Sequence, residues 1–191
     1  MTRPDGIIDF WVHDVGPEGW YNGPPELDAT IRDKFMDGWQ KALDGGFADW
    51  QKTAEGSLAY LILTDQFPRN MFRDDARAYA TDPLALRVAK HAIERDFDLQ
   101  VGRAAQEFFY MPLEHSEDLD DQILLESYMS TRMTDNEGSL LHARVHQEII
   151  RQFGRFPYRN KPLGRVSSKA EVTFLTEGGY QGILKKLESQ A

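Results

Sequence analysis

Apolar residues recur along this chain at intervals of three and four, and clusters of glycine and proline break the pattern into segments. No stretch alternates apolar and polar residues convincingly enough for a strand, so the expectation is an all-α protein. The clearest helix covers about 25–43, where Leu27, Ile31, Phe35 and Trp39 repeat every fourth residue between Gly23-Pro24-Pro25 and Gly45-Gly46. A second is expected over about 47–66. Its centre, Leu58 to Leu63, is apolar on every side and so buried all round, and Pro68 is expected to stop it.

Asp82-Pro83 reads as the N-cap and first-position proline of a helix to about Arg95, and a short helix over about 100–110 should end before Pro112. Ser116 is the expected N-cap of a helix over about 117–132, with Glu117 and Asp118 in its first turn. A further helix over about 138–153 carries Leu141, Val145, Ile149 and Phe153 on one stripe and ends at Gly154. Ser168 to Glu171 has the form of a capping box before a last helix through Leu175, closed by Gly178-Gly179, with the tail from Gly182 expected to fray. At 191 residues with 41% hydrophobic positions, the expectation is one folded domain over 1–191 with its core at about 7–180.

Charge and composition narrow the chemistry. Net charge is −9, which disfavours nucleic acid and anionic membranes as partners but leaves room for a local cationic patch that holds one small anion. The absence of cysteine removes disulfides, thiolate metal sites and cysteine nucleophiles, and a cytoplasmic address is the simplest expectation. The N-terminal residues lack the apolar core of a signal peptide, and no run approaches the roughly 20 apolar residues of a membrane span.

Two segments stand apart in charge. Residues 144–165 hold Arg144, Arg151, Arg155, Arg159, Lys161 and Arg165 against Glu148, a sum of +5, whereas residues 114–121 sum to −5. Within the basic stretch, Phe156-Pro157-Tyr158-Arg159-Asn160 echoes Phe67-Pro68-Arg69-Asn70 upstream. Asp65 stands four residues before Arg69. The pair can simply close a helix end, with Asn70 on its last carbonyls, or Arg69 and Arg73 can grip a carboxylate or phosphate.

His115, between Glu114 and Glu117, is the leading candidate for a general acid or base, because a nearby carboxylate orients an imidazole for proton transfer. His142 and His146 share a helix face at metal-ligand spacing, but the apolar residues around them favour packing for His146. Asp118, Asp120 and Asp121 lack the glycine turn and the later glutamate of a calcium loop. Phosphate-binding loops, dinucleotide fingerprints and serine-hydrolase elbows are all missing, and neither a metal nor a cofactor is expected.

Three motifs taken together, Asp65-Gln66-Phe67-Pro68-Arg69-Asn70, His115-Ser116-Glu117-Asp118, and Phe153 to Asn160 with Leu163-Gly164-Arg165, resemble a bacterial family known as domain of unknown function 924. The likeness runs from about Ile7 to Leu175. It implies about seven to nine helices in antiparallel pairs, arranged like tetratricopeptide repeats, and no assigned reaction. Asp65, Arg69, Asn70, His115, Glu117, Arg155, Arg159, Asn160 and Arg165 match the family's motifs and are carried over as candidate site residues. Tyr158 stands where the family commonly has histidine, so a mechanism needing an imidazole there loses support.

Three readings follow. The arginines, with Asp65, Asn70 and Asn160, bind a small anionic ligand while His115 and Glu117 handle protons. Alternatively the chain is a protein or peptide interaction module, or the opposite charges form an internal structural clasp.

Overall fold

The computed structural model of the protein describes residues 2–190, which are helical with no strand among them. The α-helices are α1 Pro4–Ile8, α2 Gly16–Asn22, α3 Pro25–Leu43, α4 Ala54–Leu61, α5 Phe67–Met71, α6 Asp82–Glu94, α7 Arg103–Gln106, α8 Met111–Glu114, α9 Leu119–Arg132, α10 Glu137–Phe153, α11 Lys169–Thr176 and α12 Gly179–Glu188. Among the described residues eight of these have seven residues or more. The chain divides into two compact units, residues 1–112 and 113–191.

In the first unit the stripe on α3 is core: Ile31, Phe35 and Trp39 are buried, as is every residue of α4 except Glu55. Phe67 stacks on Phe35 at 4.6 Å and meets Trp11 edge-on at 5.4 Å. The indole of Trp39 donates to Thr81, whose hydroxyl donates to the carbonyl of Thr64, so these buried polar atoms are satisfied in series.

Pro68 does not stop the helix. Residues 62–66 form a π-helical turn, and a new α-helical segment begins at Phe67, so Pro68 falls in a first turn where its missing N–H removes no bond. Thr53 divides the segment expected over 47–66: residues 48–52 are 3-10 helix, and Thr53 caps α4 by accepting the Gly56 N–H at 3.1 Å. Similarly, Pro112 does not close a helix but lies within α8, and residues 4–22 are helical although their two prolines and three glycines mask any stripe.

In the second unit Val145, Ile149, Ile150, Phe156 and Ile183 make the core, with Phe153, Phe174, Tyr180, Leu184 and Leu187 packed around it. α10 ends at Gly154 in the left-handed region at φ 64°, and the capping box Ser168–Glu171 opens α11, both as the sequence indicates. The cap of α9 is Asp118, not Ser116. Its carboxylate accepts the Asp120 N–H, while the Ser116 hydroxyl donates to Asp121. Residues 182–188 of the tail are not frayed either, because they lie in α12, which buries Ile183; Ala191 lies outside the described residues.

Gly56 gives this packing a sharp test. A Cβ there would lie 2.8 Å from the carbonyl carbon of Trp50 and nearer still to its oxygen, both backbone atoms that cannot rotate away. Gly56→Ala should lower stability by about 2–3 kcal/mol, or several degrees in a thermal melt, despite alanine's higher helix propensity.

Candidate functional site

The first-unit motif is an ion-pair cluster around a buried carboxylate. Asp65 sits on the π-helical turn, 1% exposed, and takes the Gln66 amide at 2.5 Å. Arg69 donates to the Asp65 carbonyl at 2.7 Å, lies 3.5 Å from its carboxylate and grips Asp82 with both terminal nitrogens at 3.0 and 3.1 Å. Burial works against the Arg69 charge, yet Asp65 and Asp82 outweigh it and raise the guanidinium pKa. Asn70 does not serve the helix-end carbonyls. Its amide donates to the buried Asp28 at 2.9 Å, and Arg73 closes on the same carboxylate.

In the second unit the loop after α10 is held by two carboxylates. Glu117 accepts the backbone N–H of Phe156 at 2.9 Å through one oxygen, which also takes Arg165 at 2.9 Å, and its other oxygen meets Arg165 at 2.8 Å. Burial raises the Glu117 pKa, but these donors, with Arg159 close by, bring it below the ordinary value. Glu171 takes Arg155 through both oxygens at 2.6 and 2.8 Å and the Ser168 N–H at 2.6 Å. Those bonds, led by Arg155, hold the Glu171 carboxyl far below its usual range.

Arg159 lies over the Phe156 ring at 4.5 Å and donates to the His115 carbonyl at 3.0 Å. The amide nitrogen of Asn160 donates to Ser167 at 3.0 Å. Arg144 pairs with Glu126 and Arg151 with Glu148, so the basic stretch draws most of its counter-charges from outside the acidic segment. Tyr158 stacks on Phe156 at 5.3 Å.

A second group of titratable residues surrounds Glu114. His146 places Nδ1 2.8 Å from the Glu114 carboxylate, and its ring packs against Phe156 at 5.4 Å and Tyr180 at 5.2 Å. Burial pushes Glu114 up, and His146, followed by His115 and His142, more than offsets it. Tyr180, reaching from α12, hydrogen-bonds His142 Nδ1, and its own pKa is raised by burial and by the Glu114 charge.

Among the described residues no three histidines or carboxylates are placed to hold a metal ion. Sequence reasoning missed Glu171, Asp82 and Tyr180. Glu171 carried a local signal, since the glutamate of a capping box can also serve an incoming arginine.

Apart from these charged groups, a cavity of about 730 Å3 opens along α10, α11 and α12. Its apolar surface comes from Phe153, Phe174, Ile183 and Leu187, and its charged residues are Glu148, Arg151, Glu177 and Lys186.

The fold and the two charged motif clusters define an all-helical domain. The chain belongs to the family described as bacterial protein of unknown function (DUF924), whose model matches residues 7–179. It is similar to a solved structure, a protein of unknown function, ATU0120, from Agrobacterium tumefaciens, with 38% identity and a TM-score of 0.84 over 92% of this chain and 97% of that one. No curated protein matches it.

Because the Glu171 pKa is lower in the folded chain than its ordinary value near 4.5, its stabilising effect is complete above that pH and is lost as pH falls through the folded value. Glu171→Gln should therefore melt below wild type at pH 7 and lose less stability than wild type between about pH 5 and pH 3. Denaturant melts at three pH values check both statements.

Proposed function

We propose that the protein is a helical interaction module that takes an amphipathic helix of a partner protein into the groove along α10, α11 and α12. The observation that carries this reading is the pairing of an open groove lined by Phe153 and Phe174 with motif arginines Arg69, Arg155 and Arg165 that are engaged by the chain's own carboxylates. A groove of this volume with four apolar side chains on its surface suits helix-in-groove recognition, in which residues three and four apart on the incoming helix supply the anchors. Charged residues of both signs favour an incoming helix with charges on its flanks over a purely apolar one. The motif charges then act as the clasp that fixes the loop between α10 and α11. A cytoplasmic address belongs to the same proposal and rests on the lack of cysteine; no helix is long and apolar enough to cross a membrane.

A second reading keeps a small anionic ligand at Arg155, Arg159, Asn160 and Arg165, with His115 and Glu117 handling protons. It is favoured by two buried acceptors, Asn160 Oδ1 and Gln122 Oε1, that receive no hydrogen bond among the described residues. Such groups suit a ligand that brings its own N–H or O–H donors. Against it, a bound anion would have to displace Glu171 or Glu117 from bonds of 2.6–2.9 Å.

Thr173, exposed in the groove wall, separates the two readings. Amphipathic helical peptides selected on the wild-type chain should bind Thr173→Arg at least about tenfold more weakly, roughly 1.4 kcal/mol, while the melting temperature barely moves. Failure to select any peptide, or peptide binding indifferent to Thr173→Arg, would overturn the groove. A thermal shift with anionic metabolites that disappears in a folded Arg159→Ala chain would favour the second reading.

A further inference from the structure

α12 is joined to the rest of its unit in an unusual way. It follows α11 after Glu177 and Gly178, and the turn depends on two glycines in the left-handed region, Gly178 at φ 112° and Gly179 at φ 54°. Side chains rarely adopt φ 112°, so this reversal exists because position 178 lacks a Cβ. The seat of α12 is the apolar face of α10. Ile183 is buried there, Tyr180, Leu184 and Leu187 pack beside it, and the Tyr180 hydroxyl meets His142. The family match ends at residue 179, so all of α12 beyond its first residue lies outside the matched region.

A second observation concerns α11. Its Val172 and Leu175 point outward, 49% and 41% exposed, on an eight-residue helix whose inward side carries Glu171 and Phe174. If the turn at Gly178-Gly179 straightened, residues 169–188 would run as one helix of roughly 30 Å, at 1.5 Å per residue. On that helix Val172, Leu175, Tyr180, Ile183 and Leu187 fall at steps of 0, 3, 8, 11 and 15 residues, which places them on one side of a 3.6-residue spiral. The two exposed residues of α11 thus complete a stripe that the present turn interrupts.

From the turn, the seat and the stripe together we infer that α12 exchanges between two copies of this chain. In the exchanged pair α11 and α12 form a continuous helix, α12 of each copy fills the α10 seat of the other, and Val172 and Leu175 gain cover between the two long helices. The exchange reuses the contacts α12 makes with α10, and reciprocal exchange closes as a twofold pair. Gly178, Gly179 and Gly182 oppose the long helix and hold the single chain in its turned form. They set the concentration at which the pair forms. The inference goes beyond the groove reading and does not depend on what the groove binds.

The test is a full-length chain with Gly178→Ala and Gly179→Ala, which penalises the turn and favours the long helix. Light scattering during size exclusion should give twice the wild-type mass at concentrations where wild type is monomeric, with the pair dissociating at least tenfold less readily. In a pair assembled from isotope-labelled and unlabelled chains, filtered NMR should find the contact of Ile183 with the α10 face between molecules. A folded monomer overturns the proposal, as does a dimer in which that contact stays within one molecule. A chain that no longer folds also contradicts it, because exchange requires the seat to be refilled by the partner's α12. Deleting Gly178, which shortens the turn by another route, must give the same doubled mass.

Discussion

The loop that leaves α10 at Gly154 and enters α11 at Ser168 has little regular structure of its own, only a short 3-10 turn at Pro157–Arg159, so its backbone and charges must be satisfied from elsewhere. Glu117 does this at both ends of the Phe-Pro turn. One carboxylate receives the N–H of Phe156 near the start and the guanidinium of Arg165 near the finish. With those two points held, Phe156 is buried under His146, Arg159 lies over the Phe156 ring, and Arg155 faces the capping box of α11. The core of the second unit contains Phe156, so it depends on a hydrogen bond to a half-buried acid rather than on apolar burial alone.

Arg155 and Glu171 extend the same device into α11. Glu171 serves the N-cap backbone in a reciprocal capping box and also receives a two-pronged arginine, so one side chain starts the helix and fixes the loop before it. In the first unit Arg69 has the corresponding role between the π-helical turn at Asp65 and the start of α6 at Asp82. The two Phe-Pro echoes therefore share a physical task. Each carries an arginine near the end of a helical segment and directs it to the chain's own acceptors, while the groove along α10, α11 and α12 is open.

Local rules made much of this fold legible. The stripe of Ile31, Phe35 and Trp39, the left-handed Gly154, the all-round burial of Leu58 to Leu63 and the capping box at Ser168 each depend on residues within a turn or two. What escaped depends on longer range or rarer geometry. In a purely α-helical ladder Pro68 would be a stop, whereas a π turn before Phe67 moves the proline into a first turn. Asn70 reaches Asp28, 42 positions away, and Arg165 reaches Glu117 across 48, choices no local pattern can indicate. The charge contrast between 114–121 and 144–165 leaves the pairing of acids with arginines open: Arg165 meets Glu117, whereas the carboxylates of Arg144, Arg151 and Arg155 are Glu126, Glu148 and Glu171.

The Glu117–Arg165 bond organises the second unit, and a double-mutant cycle in stability measures its contribution directly. Glu117→Ala, Arg165→Ala and the double variant, unfolded in denaturant at pH 7, should give a coupling of about 1–2 kcal/mol, the double losing clearly less than the two single losses combined. A coupling near zero, with the two losses simply additive, would show that the charged pair does not hold the loop.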